Sequence, residues 1–191
     1  MGASRHRVGH GHGAGRLTMP LEGEYLDMPV RVDELDRDHF EFFGHCGNGE
    51  LRLQQCSACG LKRYPPTTAC PWCAHPDSTW ELVEGKGTLY SYGEVHHAIQ
   101  PVFREFAPYL LLLVELDEQR DTPNPYDGLR ITGNLATSDG DLAPPELVGQ
   151  VGIGTRLRVV FKQIGEGIAL PLWCIDEDAE QPAEPWRYPI E

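Results

Sequence analysis

The sequence predicts a mainly β protein, in which a short helix and a four-cysteine ribbon precede a small barrel. Two C-x-x-C pairs lie close together in the chain, at residues 56–59 and 70–73. One amphipathic helical pattern stands before them, and the residues after them form short segments in which apolar and polar side chains alternate. The chain has 191 residues, enough for one domain or two small ones.

The N-terminal segment, residues 1–32, is expected to be disordered or extended. Residues 1–18 are rich in Gly, His and Arg and show no hydrophobic periodicity. A composition of this kind is typical of disorder, because it offers little apolar surface to bury.

A helical segment is predicted for residues 33–48. Asp33 is the predicted N-cap, because its carboxylate can accept hydrogen bonds from the free backbone amides of the first turn. Residues at helical spacing form one less polar side: Leu35, His39, Phe42 and Phe43. This side needs a surface to cover, which is either the protein's own barrel or a partner.

The paired cysteines predict a metal site in a ribbon that spans residues 49–84. Short strands are expected at residues 50–55 and 80–83, on either side of the two pairs. Each C-x-x-C forms a tight knuckle whose two sulfurs point at one metal, and two knuckles complete a tetrahedral thiolate cage. The predicted ligands are Cys56, Cys59, Cys70 and Cys73. Because sulfur fills all four positions, the ion has no open position for a substrate, and its expected role is structural.

Zinc is the predicted ion. Iron uses the same four-sulfur set in rubredoxin-like electron carriers and stays open as the functional alternative. Gly60 follows the first knuckle, at a place where the backbone often needs a positive φ angle. The two other cysteines, Cys46 and Cys174, stand apart from the pairs and are expected to be inert.

Residues 85–176 are predicted to form a five-stranded barrel of the OB-fold type. Strand patterns occur at residues 87–95, 109–116, 129–135, 156–161 and 168–174. Five short strands without a convincing helix between them suggest a small closed barrel. Two polar loops interrupt the pattern, at residues 117–128 and 136–150, and the second has room for a short helical turn.

The acidic, Pro-rich residues 177–191 are predicted to form a loose tail that Trp186 and Tyr188 could anchor.

The composition narrows the classes of function. The formal net charge is −13, which argues against nucleic-acid binding, because such binding depends on Lys and Arg neutralising phosphates. No apolar run approaches the roughly 18 residues needed to cross a bilayer, and the first residues lack the apolar stretch of a secretory signal. We therefore expect a cytoplasmic protein that does not span a membrane.

The sequence contains no evident catalytic constellation. We find no serine or cysteine in a nucleophile-elbow context and no G-x-x-x-x-G-K-[ST] phosphate loop. The many carboxylates are not paired in an apolar setting that would tune them for acid–base chemistry. The chain is therefore not expected to be an enzyme on its own.

The order of the motifs resembles a family long catalogued as domain of unknown function 35 (DUF35). The ribbon half carries LRLQQCSACG at 51–60, RYPP at 63–66 and CPWC at 70–73, and the barrel half carries GTLYSY at 87–92, VELD at 114–117 and GNL at 133–135. The likeness spans roughly residues 33–175. It implies an N-terminal helical segment, a rubredoxin-like zinc ribbon and a C-terminal OB-fold.

The resemblance also implies an accessory function. Members of the family accompany thiolase-superfamily enzymes: acyltransferases, 3-hydroxy-3-methylglutaryl-CoA synthases, and aldolases that shorten steroid side chains held as CoA thioesters. The expected role is a non-catalytic subunit that stabilises a thiolase-like partner in a hetero-oligomer and helps shape its acyl-CoA site. The candidate interface residues are Phe40, Phe42, Phe43, His96, His97, Phe103 and Tyr109. The loops at 117–128 and 136–150 are longer than the family pattern and are candidates for partner-specific contacts.

Two alternatives stay open at this point. OB-folds also bind single-stranded nucleic acid by stacking bases on aromatic side chains, and Tyr90, Tyr92 and Tyr109 could act in this way. Their only basic neighbours in the sequence are Lys86 and Arg104. The second alternative is a rubredoxin-like electron carrier, which would hold iron in the four-cysteine site.

Overall fold

The structure is a computed structural model that describes residues 19–189. It contains a two-stranded sheet, a three-stranded sheet and a five-stranded sheet, all antiparallel. This confirms the predicted mainly β class. No helix within residues 19–189 combines the length and the apolar character needed to cross a membrane.

The described part of the chain begins with a hairpin that the sequence analysis missed. Strands β1 (Leu21–Tyr25) and β2 (Met28–Val32) pair with each other through a two-residue turn. Both turn residues, Leu26 and Asp27, have positive φ angles, which suit a tight hairpin turn. Residues 19–32 were expected to be disordered or extended, and the structure pairs most of them in this hairpin. The predicted disorder of residues 1–18 lies outside the described residues.

Helix α1 (Arg37–Gly47) follows the hairpin. Its N-cap is Asp36, whose carboxylate accepts from the backbone N–H of His39 at 3.5 Å. Asp33, the predicted cap, instead accepts from Leu35 N–H at 3.0 Å within the preceding turn, so that prediction was wrong by one helical turn. The helix buries Phe42 against the protein's own core.

The ribbon is a three-stranded sheet with an unusually polar interior. Strand β3 (Arg52–Cys56) lies between β4 (Lys62–Arg63) and β5 (Ser78–Leu82). The buried Arg63 side chain donates to Gln54 Oε1 at 2.9 Å and to the carbonyl of Thr67 at 2.9 Å. Hydrogen bonds therefore order this polar part of the ribbon, while Leu53 on the same strand is buried in the apolar core.

The barrel is built from five strands that lie in the order β10-β9-β6-β7-β8. They are β6 (Lys86–Val95), β7 (Tyr109–Leu116), β8 (Arg130–Asn134), β9 (Arg156–Gly165) and β10 (Ile168–Ile175). A parallel bridge between Leu135 and Trp173 connects the two edge strands. The interior is apolar and includes Leu89, Leu110, Leu112, Ile131, Leu157 and Trp173. This arrangement confirms the OB-type sheet.

A short segment at the end of β7 joins the barrel to the ribbon. Residues Asp117–Gln119 form a 3-10 turn, and the buried Gln119 side chain pairs with the backbone of Lys62 on the ribbon. Lys62 N–H donates to Gln119 Oε1 at 2.7 Å, and Gln119 Nε2 donates to the Lys62 carbonyl at 3.0 Å. Glu118 accepts from Glu84 N–H at 2.6 Å. The base of the 117–128 loop is therefore an internal joint.

The loop at 136–150 contains a single helical turn, α2 (Pro145–Val148), as the sequence allowed.

The C-terminal tail returns to the barrel, because Trp186 and Ile153 exchange backbone hydrogen bonds at 2.7 and 3.1 Å. Tyr188 N–H donates to the Tyr92 hydroxyl at 2.9 Å. The tail is thus attached to the barrel at the two positions proposed as anchors, through their backbone groups.

Candidate metal centre

The structure brings all four predicted ligands together. Their Sγ atoms lie within 4.8 Å of one another, with Cys56 and Cys73 3.5 Å apart and Cys59 and Cys70 3.6 Å apart. An ion bound tetrahedrally at about 2.3 Å from each sulfur places the sulfurs about 3.8 Å apart. The cluster therefore fits a four-coordinate metal ion.

The first knuckle begins where β3 ends. Gly60 N–H donates to the Cys56 carbonyl at 2.9 Å, and Cys56 N–H donates to the Leu61 carbonyl at 3.0 Å. These bonds close a turn in which Gly60 has φ +75°. A Cβ atom there would meet nothing within 4 Å among the described residues, so glycine is favoured for its backbone freedom.

The second knuckle repeats this geometry with a different residue. Ala74 N–H donates to the Cys70 carbonyl at 2.9 Å, and Cys70 N–H donates to the His75 carbonyl at 2.9 Å. Ala74 has φ +58°, a left-handed conformation that an alanine rarely adopts. The sequence carries no signal for this conformation, because the position is not a glycine.

The backbone favours the thiolate form of Cys56. The N–H groups of Cys59 and Ala58 lower the pKa of Cys56 by hydrogen bonding to its sulfur, with Ala58 N 3.4 Å from Sγ. A lowered pKa favours the thiolate, which is the metal-binding form of cysteine. Cys56 and Cys70 are buried, whereas Cys59 and Cys73 lie on the outer side of the cluster.

The two remaining cysteines lie away from this centre. Cys46 is buried on α1, and burial raises the pKa of its thiol to about 12. Cys174 is buried on β10, and burial likewise raises the pKa of its thiol. Both are therefore held as neutral thiols, as expected for inert packing residues.

The candidate interface residues differ in how far they reach the surface. Phe42 is 1% exposed, so its side chain serves the protein's own core. Phe40 and Phe43 are half-buried on α1, whereas His96 and His97 are exposed at the end of β6. The rings of Phe103 and Tyr109 lie 5.3 Å apart, and Phe103 also contacts the ring of Tyr25 at 6.4 Å.

An apolar surface that the sequence analysis missed lies next to Tyr109. We call it the outer face of the barrel, and it comprises Leu111 and Leu113 on β7 with Ser91, Gly93 and Thr132 beside them. Leu111 is 49% exposed, and its neighbour in the sheet is Gly93, which has no side chain to cover it. The run of leucines shows no alternation of apolar and polar residues, so the sequence gives no sign that Leu111 is exposed.

Two of the three aromatic side chains proposed to stack nucleic-acid bases, Tyr90 and Tyr92, are already engaged by other groups. Tyr92 is buried, and the Arg130 guanidinium stacks on one face of the Tyr90 ring, 3.6 Å from its centroid, although Tyr90 is 43% exposed overall. Lys86 forms an ion pair with Glu84 at 3.1 Å. No observation on these residues favours a nucleic-acid function.

Fold and site together define a protein that joins a four-cysteine ribbon to an OB-fold. Residues 80–162 match the family described as "ChsH2, C-terminal OB-fold domain". A "DUF35 domain-containing scaffold protein" from Methanocaldococcus jannaschii is 33% identical over 113 residues, which cover 59% of this chain and 67% of that protein. The chain belongs to the DUF35 family.

Two further relatives have more specific names. A "Probable enoyl-CoA hydratase alpha subunit" from Thermomonospora curvata is 40% identical over 103 residues, which cover 53% of this chain. The match spans only 28% of that relative's length. The solved structure of the "Ltp2-ChsH2(DUF35) aldolase" contains a chain with a TM-score of 0.57 and 28% identity, and the match covers 73% of this chain and 95% of that chain.

Proposed function

We propose that this protein is a non-catalytic accessory subunit of a thiolase-superfamily acyl-CoA enzyme, which it stabilises and whose acyl-CoA site it helps to shape. The observation that carries the proposal is the match to a chain of the solved "Ltp2-ChsH2(DUF35) aldolase", which extends over 95% of that chain. The name of that structure pairs the DUF35 protein with Ltp2. An aldolase acting on steroid side chains or an acyltransferase is the partner class that the family resemblance favours.

The metal centre has a structural role in this proposal. We assign zinc to the four-cysteine cluster, because zinc favours tetrahedral sulfur sites with ligand spacings of this kind. Zinc would stabilise the fold of the ribbon, and the four sulfurs leave no position for a substrate. Metal analysis of the purified protein tests this assignment: zinc gives a colourless protein, and iron gives a coloured one that would support an electron carrier.

The proposed interface combines the exposed candidates with the outer face of the barrel. It contains Phe40 and Phe43 on α1, the exposed His96 and His97, the Phe103–Tyr109 pair, and Leu111. Phe42 supports it from inside by fixing α1 on the core. Coenzyme A would be contacted at the edge of this interface, while the catalytic residues belong to the partner.

We place the complex in the cytoplasm, where reducing conditions keep four-cysteine sites available for metal.

Co-expression with the thiolase-like protein encoded by a neighbouring gene tests the proposal. A stable complex should appear in size-exclusion chromatography with light scattering, and the isolated chain should not turn over an acyl-CoA thioester. Failure to bind such a partner, or thioester turnover by the isolated chain, would contradict the accessory role.

A matched pair of variants tests the surface. Leu111→Asp should weaken the complex at least about tenfold, because a buried interface charge without a partner is costly. Leu82→Asp is the control, since Leu82 is 58% exposed but lies on the ribbon strand β5. If both variants bind the partner as the unmodified protein does, the outer face is not part of the interface.

A further inference from the structure

A small open cavity lies between the second knuckle of the ribbon and the loop at 117–128. It has a volume of about 270 Å³, and three aromatic residues line it: Tyr64, Trp72 and Tyr126. Trp72 is 39% exposed and Tyr126 is 83% exposed. Asp127 and Arg130 complete the polar part of the lining. We call this cavity the aromatic receptacle.

The exposed ring of Tyr126 is carried by a fixed backbone. Tyr126 N–H donates to Asn124 Oδ1 at 2.9 Å, and the Tyr126 carbonyl accepts from Arg130 Nη1 at 2.9 Å. Asn124 Nδ2 also donates to Asp127 Oδ2 at 2.6 Å. A binding partner would therefore have little backbone entropy left to remove when it contacts this ring. Aromatic residues presented in this way are common at the energetic centres of interfaces.

The charges around the receptacle favour a cation. Arg130 is neutralised, because its Nε and Nη2 atoms donate to Glu115 Oε1 at 3.2 and 3.0 Å. Its Nη1 atom donates a hydrogen bond to the Tyr126 carbonyl. Asp127 contributes an exposed carboxylate, and the chain as a whole carries a formal net charge of −13. The faces of aromatic rings are themselves attractive to positive charge.

We propose that the aromatic receptacle receives an arginine side chain of the partner subunit. The volume is below the range of roughly 300 to 1,000 Å³ typical of small-molecule sites, so a single inserted side chain fits better than a free ligand. A planar guanidinium can stack on Trp72 or Tyr126 while it donates hydrogen bonds to Asp127, which a lysine ammonium cannot match. This inference rests on the proposed function, because it assigns the arginine to the catalytic subunit.

Short peptides test the chemistry of the receptacle without the partner. Ac-Gly-Arg-Gly-NH₂ should shift the indole N–H signal of Trp72 in a saturable NMR titration, and Ac-Gly-Gln-Gly-NH₂ should not. Trp72→Phe assigns the signal, and metal content verifies that the knuckle stays intact. Tyr126→Ala and Asp127→Asn should each weaken arginine-peptide binding about threefold to tenfold. Equal shifts with the glutamine or lysine peptide, or a response to adenine instead, would overturn the arginine assignment.

The complex tests the identity of the partner. Tyr126→Ala should weaken binding of the thiolase-like subunit about threefold to tenfold without changing metal content. Leu82→Ala is the control, because Leu82 is 58% exposed on strand β5 and is not part of the receptacle. If the complex forms with the same affinity in the Tyr126→Ala variant, this inference fails and the proposed function stands. If the unmodified protein forms no complex, the proposed function itself fails.

Discussion

The ribbon and the barrel are stabilised by different means, although they lie in one small chain. The buried groups of the ribbon include the sulfurs of Cys56 and Cys70 and the polar side chains of Gln54 and Arg63. The barrel encloses a continuous apolar cluster, in which each fully buried large side chain contributes roughly 1.5–3 kcal/mol. The comparison predicts that the cysteine end of the ribbon would depend on a bound metal ion, whereas the barrel depends on an apolar core that Leu53 of the ribbon also joins.

The largest expected effect comes from breaking the metal cluster. Cys56→Ser should abolish stoichiometric metal binding and unfold the ribbon, because a structural zinc ion contributes on the order of 10 kcal/mol to local folding. Amide hydrogen exchange should increase throughout β3–β5 while β7 stays protected. Cys174→Ser is the control and should keep the metal. Retention of one tightly bound metal ion per chain in Cys56→Ser would show that the two regions do not differ in this way.

The second effect separates the inside of the barrel from its outer face. Leu110→Ala should lower the free energy of unfolding by about 2–5 kcal/mol, because it leaves a cavity in the apolar core. Leu111→Ala, on the next residue of the same strand, should change it by less than about 0.5 kcal/mol. Chemical denaturation monitored on the barrel measures both. Equal losses would mean that the outer face is packed after all.

The smallest effect concerns the joint between the two regions. Gln119→Ala should lower the free energy of unfolding by about 1–3 kcal/mol. The reason is that the N–H and carbonyl of Lys62 lose their hydrogen bonds to the Gln119 side chain. Hydrogen exchange at the Lys62 amide should rise, with metal content unchanged. Gln100→Ala, at an exposed position, is the matched control. An unchanged exchange rate at Lys62 in Gln119→Ala would show that the joint is not needed to hold the ribbon on the barrel.

The sequence predicted those features that depend on local patterns. The bounds of β7 were predicted without error, because a continuous run of β-forming apolar residues ends in charges at Glu115 and Asp117. The four cysteines were found by spacing alone. These signals lie within a few residues of one another and do not depend on how the chain folds back on itself.

The features that the sequence did not predict depend on long-range contacts or on turns without glycine. The hairpin of β1 and β2 turns at Leu26 and Asp27, a pair that carries no usual turn signal, and Pro29 within β2 argues against a strand. The joint depends on Gln119 meeting Lys62, which lies 57 residues earlier. A single sequence gives no indication of such a pairing.

The ribbon also differs from the barrel in how far apart its contacts lie along the chain. All four candidate sulfur ligands fall between Cys56 and Cys73. Strand β6, in contrast, pairs with β9, which begins only at Arg156 and is therefore synthesised much later. During synthesis on the ribosome, the knuckles can therefore capture their ion while most of the barrel is still untranslated. Local contacts form early and distant strand pairs form late, so metal supply would act on the nascent chain before barrel closure begins.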